Sequence, residues 1–251
     1  MPKLVFLGTA SAVPDENHEN TYMAILGRQQ TILIDCPNNT FVRLEQAGIA
    51  YQDITDVILT HFHPDHVSGL PSLLLDMWLM GRKDPLNVYG LAYTLERMEK
   101  LMEAYDWGSW PGFFPVSFCP ILSEELAPVL ESGEFKITAS PVHHLIPNIG
   151  LRVDCLESGR SLAYSCDTEP CLEVARLAQG VDVLVHECAG PSVGHTAPDK
   201  AGETASRAEA SSLYLIHYQT RGVNVPMLAA EASKTYTGPI TIAQDFMKLD
   251  L

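Results

Sequence analysis

The sequence predicts an α/β protein of the α+β kind, a four-layer αββα sandwich of two mixed β-sheets covered by helices. Three observations lead there. Short apolar runs rich in β-branched residues recur along the chain, the early ones as hairpins and the later ones alternating with helical patterns. No linker-like tract or short repeat divides the 251 residues, so they read as a single domain, 1–251. The 46% of hydrophobic residues is enough to close a sizeable core.

The elements follow in order. Lys3–Leu7 is a short apolar strand ended by Gly8, and Tyr22–Leu26 and Thr31–Ile34 flank Gly27–Gln30 as a hairpin. Asn38–Ala47 carries Phe41, Leu44 and Ala47 at helical spacing and stops at Gly48. Val57–Thr60 is a strand that delivers the chain to a histidine-rich turn. A helix over Pro71–Met80, a strand at Leu86–Tyr89 and a helix over Ala92–Ala104 come next. The second half predicts strands at Phe135–Val142, Ile149–Cys155, Ser161–Tyr164, Val183–His186, Leu213–His217 and Ile240–Ala243. Its helices fall at Glu169–Ala178, Asp199–Ala208 and Met227–Tyr236. Tyr105–Pro115 is too rich in Trp, Phe, Gly and Pro for a regular element. It reads as an aromatic plug or subunit contact, with a lid or substrate-facing wall as the alternative.

Charge and cysteine usage bound the partners. A net charge of −15, from 31 acidic and 16 basic residues, disfavours bulk capture of a long nucleic acid. A local cation would still admit a small anionic substrate. No apolar run approaches the roughly 20 residues that span a bilayer, and no charged-then-apolar leader opens the chain. The expectation is a soluble cytoplasmic protein with no membrane partner. Cys36, Cys119, Cys155, Cys166, Cys171 and Cys188 form no C-x-x-C pair and read as reduced, mostly buried thiols.

The informative stretch is T-H-F-H-P-D-H-V-S-G-L, residues 60–70. His61, His63, Asp65 and His66 crowd a turn directly after a strand, and imidazole with carboxylate is the N/O donor set that zinc prefers. His61 and His63 would serve one ion, Asp65 and His66 its neighbour. A catalytic zinc takes three protein ligands, so others must come from elsewhere. His144, Asp167 and His217 stand at the ends of predicted strands, and a carboxylate at Asp167 could bridge both ions.

Together with the opening F-L-G-T, these features resemble the metallo-β-lactamase superfamily over essentially the whole chain, and most closely its ribonuclease Z-like phosphodiesterase branch. The resemblance rests also on His144-L-I-Pro147-N-I-Gly150, Y-S-C-Asp167-T, V-L-V-His186-Glu187, the Gly-His-Thr-Ala segment at 194–197 and the final strand ending in His217. It implies an αββα sandwich with one metal held by His61, His63 and His144. The second would be held by Asp65, His66 and His217, with Asp167 bridging and Asp35 orienting the histidine turn. The catalytic residues it implies are Asp65, His195 and Glu187, with His195 protonating the leaving oxygen and Glu187 holding its imidazole. His143, His18 and His186 are expected to be structural. The cofactor it implies is two Zn²⁺ per chain, with Mn²⁺ or Fe as alternatives. His63 weakens an oxidative di-iron reading, because oxygen-reducing relatives carry an acidic residue there.

The expected activity is a metal-dependent hydrolase, a dinuclear zinc phosphodiesterase that acts on a small or short substrate through an activated hydroxide. One alternative is hydrolysis of a lactone, thioester, β-lactam or sulfate ester at the same centre, with the aromatic segment as an apolar wall. Another is a non-catalytic metal-binding module. The tRNA-processing members carry an extended arm between the motif at Gly150 and the bridging Asp, where this chain has one hairpin. Its final strand continues H-Y-Q-T-R rather than Ser-Pro-Arg-Tyr. With the negative charge, these absences set tRNA aside as an expected partner. Relatives commonly dimerise, and a homodimer is compatible with the aromatic segment.

Overall fold

The computed structural model describes residues 1–251. The first sheet is built from β1 (Lys3–Gly8), β2 (Tyr22–Leu26), β3 (Thr31–Ile34), β4 (Ile54–Leu59), β5 (Leu86–Leu91) and β6 (Val116–Ile121). The second runs through β7 (Ala127–Glu131), β8 (Phe135–Val142), β9 (Asn148–Cys155), β10 (Ser161–Tyr164), β11 (Val183–Glu187), β12 (Leu213–Ile216) and β13 (Ile240–Ile242). The last strand, β14 (Lys248–Asp250), returns to the first sheet beside β1. The orders are β14-β1-β2-β3-β4-β5-β6 and β13-β12-β11-β10-β9-β8-β7. Each sheet changes from antiparallel to parallel pairing across its width, at β3 in one and at β10 in the other.

Helices α1 (Thr40–Ala47), α2 (Pro64–Val67), α3 (Leu70–Leu79) and α4 (Ala92–Ala104) accompany the first sheet, and α5 (Leu172–Leu177), α6 (Pro198–Arg207) and α7 (Pro226–Ala232) the second. Alternation along the strands explains the layers. Leu4, Phe6, Ile25, Ile32 and Ile58 of the first sheet face Phe135, Ile137, Leu151, Val153 and Val185 of the second in one cluster between the sheets. Their neighbours Val5, Leu7, Ala24, Leu33 and Val57 face outward onto Leu44, Leu73, Leu74 and Met98 of the helices. Ala163, Leu184 and Leu215 do the same against Ala201, Ala205 and Ala232. Strands buried on both faces read as continuous apolar runs, which is why they are recognisable in the sequence.

Three strands, β6, β7 and β14, were not expected. Pro120 and Pro128 interrupt the first two, and both strands lie at sheet edges, where a missing backbone N–H leaves no ladder bond unmade. The helix expected from Glu169 begins only at Leu172, since Pro170 disfavours helical backbone at the residue before it. The aromatic stretch forms a short 3₁₀ turn at Trp107–Ser109. Trp110 stacks on Trp78 at 5.2 Å, Phe113 meets Trp110 edge-on, and Phe114 is buried with the helices of the first sheet. No helix is long and apolar enough to cross a membrane.

Candidate metal centre

The ends of β3, β4, β8, β10, β11 and β12 deliver Asp35, the histidine turn, His144, Asp167, Glu187 and His217 to one edge of the sandwich. These strands run in the same direction within each sheet, so their C-terminal ends lie together, where open α/β sheets place ligand sites. Beyond β4 the chain stays extended at His63, and α2 then turns Asp65 and His66 inward. Three residues here hold left-handed backbone without being glycine: Asp35 (φ 64°), Cys166 (φ 51°) and His217 (φ 53°). Such conformations cost roughly 1–3 kcal/mol each and persist where the surroundings over-determine them.

Two donor groups result. In the first, His63 Nδ1 lies 3.0 Å from His61 Nε2 and 3.1 Å from His144 Nε2. In the second, His66 Nε2 is 3.6 Å from Asp65 Oδ2 and 3.5 Å from Asp167 Oδ2, while His217 Nε2 is 3.1 Å from the same Asp167 oxygen. Asp167 Oδ2 is also 4.0 Å from His144 Nε2, so one carboxylate oxygen lies between the two groups, within 4.0 Å of a nitrogen of each. Asp35 is buried behind them. It accepts hydrogen bonds from the Thr60 backbone N–H at 2.8 Å and from His66 Nδ1 at 2.8 Å, which turns His66 Nε2 toward the cluster. His144 Nδ1 donates to the Gly194 carbonyl at 2.8 Å, with the same consequence for its Nε2. Tethering the far nitrogen in this way is how metal-binding histidines are oriented.

The donor chemistry fits cations. Zn–N bonds of about 2.0–2.1 Å at tetrahedral angles set nitrogens about 3.3 Å apart, close to the spacing of the first group. His66 Nε2 and Asp167 Oδ1 are buried without any hydrogen-bond partner, a costly arrangement unless something else satisfies them. Burial lowers the pKa of His61, His63 and His144, which keeps these rings in the neutral form that ligates. Burial also pushes the Asp167 carboxyl up, but the His217 and His66 rings more than reverse it and hold Asp167 well below the usual carboxylate range.

Glu187, fully buried, anchors the loop beside this cluster. Its Oε1 accepts from Thr168 N at 3.0 Å, Thr196 N at 3.1 Å and His195 Nδ1 at 3.0 Å, and its Oε2 from Ala189 N at 2.9 Å. His195 Nε2 is thereby left free. The ring stacks on His217 with centroids 5.7 Å apart and meets His144 edge-on at 5.2 Å. Burial opposes charge on His195, but Glu187, Asp167 and Asp65 outweigh it and raise its pKa. Gly194 must be glycine: its φ is 84°, and a Cβ there would lie 2.9 Å from His144 Nδ1.

All ten residues implied by the resemblance meet at this edge. His143 does not: it lies 3.7 Å from Glu173 on the surface. His18 bonds Asp15 at 2.9 Å and meets Tyr218 edge-on, and buried His186 donates from Nδ1 to the Glu187 carbonyl at 2.8 Å. Sequence reasoning missed Glu169, whose Oε1 accepts the Gly194 N–H at 2.9 Å. It also missed the outer wall of the cleft, formed by Ser11–Val13 and Gln219–Arg221. No motif marks either. The cleft over the two donor groups measures about 530 Å³, and the aromatic segment lines none of it.

Comparison with known proteins extends this picture. A curated relative named Ribonuclease Z from Methanothermobacter thermautotrophicus is 26% identical, with 100% of this chain and 97% of that protein covered. The crystal structure of the metallo-β-lactamase fold protein YhfI from Bacillus subtilis superposes with a TM-score of 0.85 at 22% identity, covering 99% and 98% of the two chains. Human tRNase Z, short form, superposes with a TM-score of 0.79 at 23% identity, covering 99% and 98%. The chain therefore has the metallo-β-lactamase fold, and its kinship and donor cluster make it a metal-dependent hydrolase.

These findings overturn the expectation that sets tRNA aside. Relatives that carry tRNase Z and Ribonuclease Z names align over the full length of the chain. The β9–β10 connection is indeed only Leu156–Arg160, but it speaks to one accessory grip and not to the reaction at the donor cluster. Net charge likewise averages the whole surface, whereas an RNA would meet only the cleft and its rim. The family described as "Anti-Pycsar protein Apyc1" matches residues 2–230, and the chain belongs to that family.

Proposed function

We propose that the chain is a dinuclear zinc phosphodiesterase, working within one hydrolase domain. The observation that carries this reading is the position of one Asp167 oxygen within 4.0 Å of both donor groups, directly beside a histidine held by a buried glutamate. His61, His63 and His144 would hold one ion and Asp65, His66 and His217 the other, with Asp167 shared. The His-rich first group favours zinc, while the carboxylate-bearing second group also suits manganese or iron. When bound, such a pair acidifies a water toward neutral pH and offsets charge that grows on phosphoryl oxygens.

The chain's own residues supply the rest. Asp35 and the Gly194 carbonyl fix the rings of His66 and His144, so that the donors need little rearrangement during reaction. Asp65, with its side chain 14% exposed, is the carboxylate of the set most open to the cleft and is placed to orient an attacking water. His195 donates a proton from Nε2 to the departing oxygen, and Glu187 stabilises the charged ring beforehand. The substrates are phosphodiesters, short ones and tRNA precursors included, as the names of the relatives suggest. An apolar wall for lactones or thioesters has no support, because the aromatic segment packs away from the cleft.

Elemental analysis combined with turnover tests this. Two ions per chain are expected, with hydrolysis of bis-p-nitrophenyl phosphate that a chelator abolishes and zinc restores. One ion per chain would sink the dinuclear reading. Turnover of carboxylic esters with phosphodiesters and tRNA precursors untouched would sink the choice of bond.

A further inference from the structure

Arg221 stands out in the cleft. It lines the same space as Asp167, His195 and His217, and among the lining residues it alone carries a fixed positive charge. One guanidinium N–H donates to the Pro14 carbonyl at 3.2 Å, which ties the loop after β12 to the loop before β2. An arginine has five donors, so most of the fork is open to the cleft and to solvent. In a chain with nearly twice as many acidic as basic residues, other exposed arginines find carboxylates: Arg28 pairs with Glu157, Arg176 with Glu125 and Glu173, and Arg207 with Glu203. Arg221 makes no ion pair. It follows His217 by four residues, and at about 3.3 Å per extended residue the two Cα atoms are no more than about 13 Å apart.

We propose that Arg221 recognises a second phosphate on the substrate, neighbouring the phosphodiester held at the donor cluster. The proposal rests on the phosphodiesterase reading and narrows it to substrates that carry more than one phosphate. A planar guanidinium matches phosphate oxygens in pairs, and a cation on the rim can select a charged neighbour without touching the reacting bond. Beside the ions of that reading, a cation on the rim adds a local attraction directed at a second phosphate.

The test compares the p-nitrophenyl ester of thymidine 5′-phosphate with the same ester carrying a 3′-phosphate. Wild-type protein is expected to favour the 3′-phosphorylated ester about tenfold in kcat/KM, through KM rather than kcat, and to lose the preference as salt is raised. In Arg221→Gln the ratio between the two esters falls to about one, and Arg221→Lys keeps part of it. A merely structural role would lower both esters alike, and that outcome, or no preference in wild type, overturns the proposal. If wild type cleaves neither ester, the phosphodiesterase reading fails. Calorimetric titration with thymidine 3′,5′-bisphosphate and thymidine 5′-phosphate then decides Arg221 separately. Tighter bisphosphate binding that Arg221→Gln removes supports the proposal, and equal binding of the two nucleotides by wild type overturns it.

Discussion

The inner ring of the cleft and its outer rim are built differently. Asp35, His61, His66, Asp167, Glu187 and His217 are all at most 2% exposed, and hydrogen bonds or strained backbone hold most of them in place. On the rim, Val13 and Leu145 are more than 60% exposed, and single bonds to backbone carbonyls hold Gln219 and Arg221. On the proposed reading, chemistry is placed where packing fixes most of the donors, and selectivity where side chains are free to vary. Substitutions in the ring should be felt in metal content, rate and stability together. Substitutions on the rim should be felt in substrate preference alone.

The largest effect belongs to the oxygen that lies between the two donor groups. Asp167→Asn keeps the shape but removes the charge, and should lower turnover of phosphodiesters by roughly 10³-fold or more. Ions per chain, measured by elemental analysis, should fall in parallel. Retention of two ions with most of the activity would dissolve the distinction between ring and rim. His195→Ala comes next, with an expected loss of about 10²–10⁴-fold on alkyl phosphodiesters. The loss should be much smaller on p-nitrophenyl esters, whose leaving oxygen needs little protonation. A uniform loss across leaving groups would remove His195 from the proton-donating role.

The same division explains what the sequence made legible. The ring is readable because His61, His63, Asp65 and His66 are four donors in one short turn after an apolar strand, and because His144, Asp167 and His217 terminate recognisable strands. Buried strands such as β8 and β10 announce themselves by continuous β-branched and apolar residues. By contrast, β6 and β7 hide behind Pro120 and Pro128, which only an edge position tolerates. Glu169 has no local signature, since its partner is a backbone N–H 25 residues away. The rim is illegible for the same reason: Ser11 and Arg221 become neighbours only once β1 and β12 have been placed. Whole-chain charge misled about tRNA because it carries no information on how charge is distributed around the cleft.

Gly194→Ala probes the seam between the two regions. The added Cβ would press on His144 Nδ1 from 2.9 Å in a backbone conformation that alanine resists. An expected loss of about 1–2 kcal/mol in stability should accompany a drop in turnover of about tenfold, as both His144 and His195 shift. Urea unfolding and steady-state kinetics on the same preparation check this. A stability loss with unchanged kinetics would show that the loop positions neither ring.

The smallest effect at neutral pH, and the cleanest measure of how dry the interior behind the ring is, comes from His186. Burial lowers its pKa from 6.5 to about 4, with only the Glu187 carbonyl acting in the other direction. Above about pH 6.5 neither the folded nor the unfolded state protonates this ring, so it adds no slope. Between 6.5 and 4 the unfolded chain takes up a proton that the folded protein excludes, so stability falls as pH falls. A gap of about 2.5 pH units corresponds to at most roughly 3 kcal/mol, complete near pH 4 and absent at pH 7. His186→Gln keeps an N–H for the carbonyl but cannot take up the proton. Its urea-unfolding free energy should therefore decline less steeply from pH 6.5 to 4, by up to about 1.4 kcal/mol per pH unit. Parallel curves for wild type and variant would mean that water reaches His186, and the contrast between a sealed ring and an open rim would lose its deepest member.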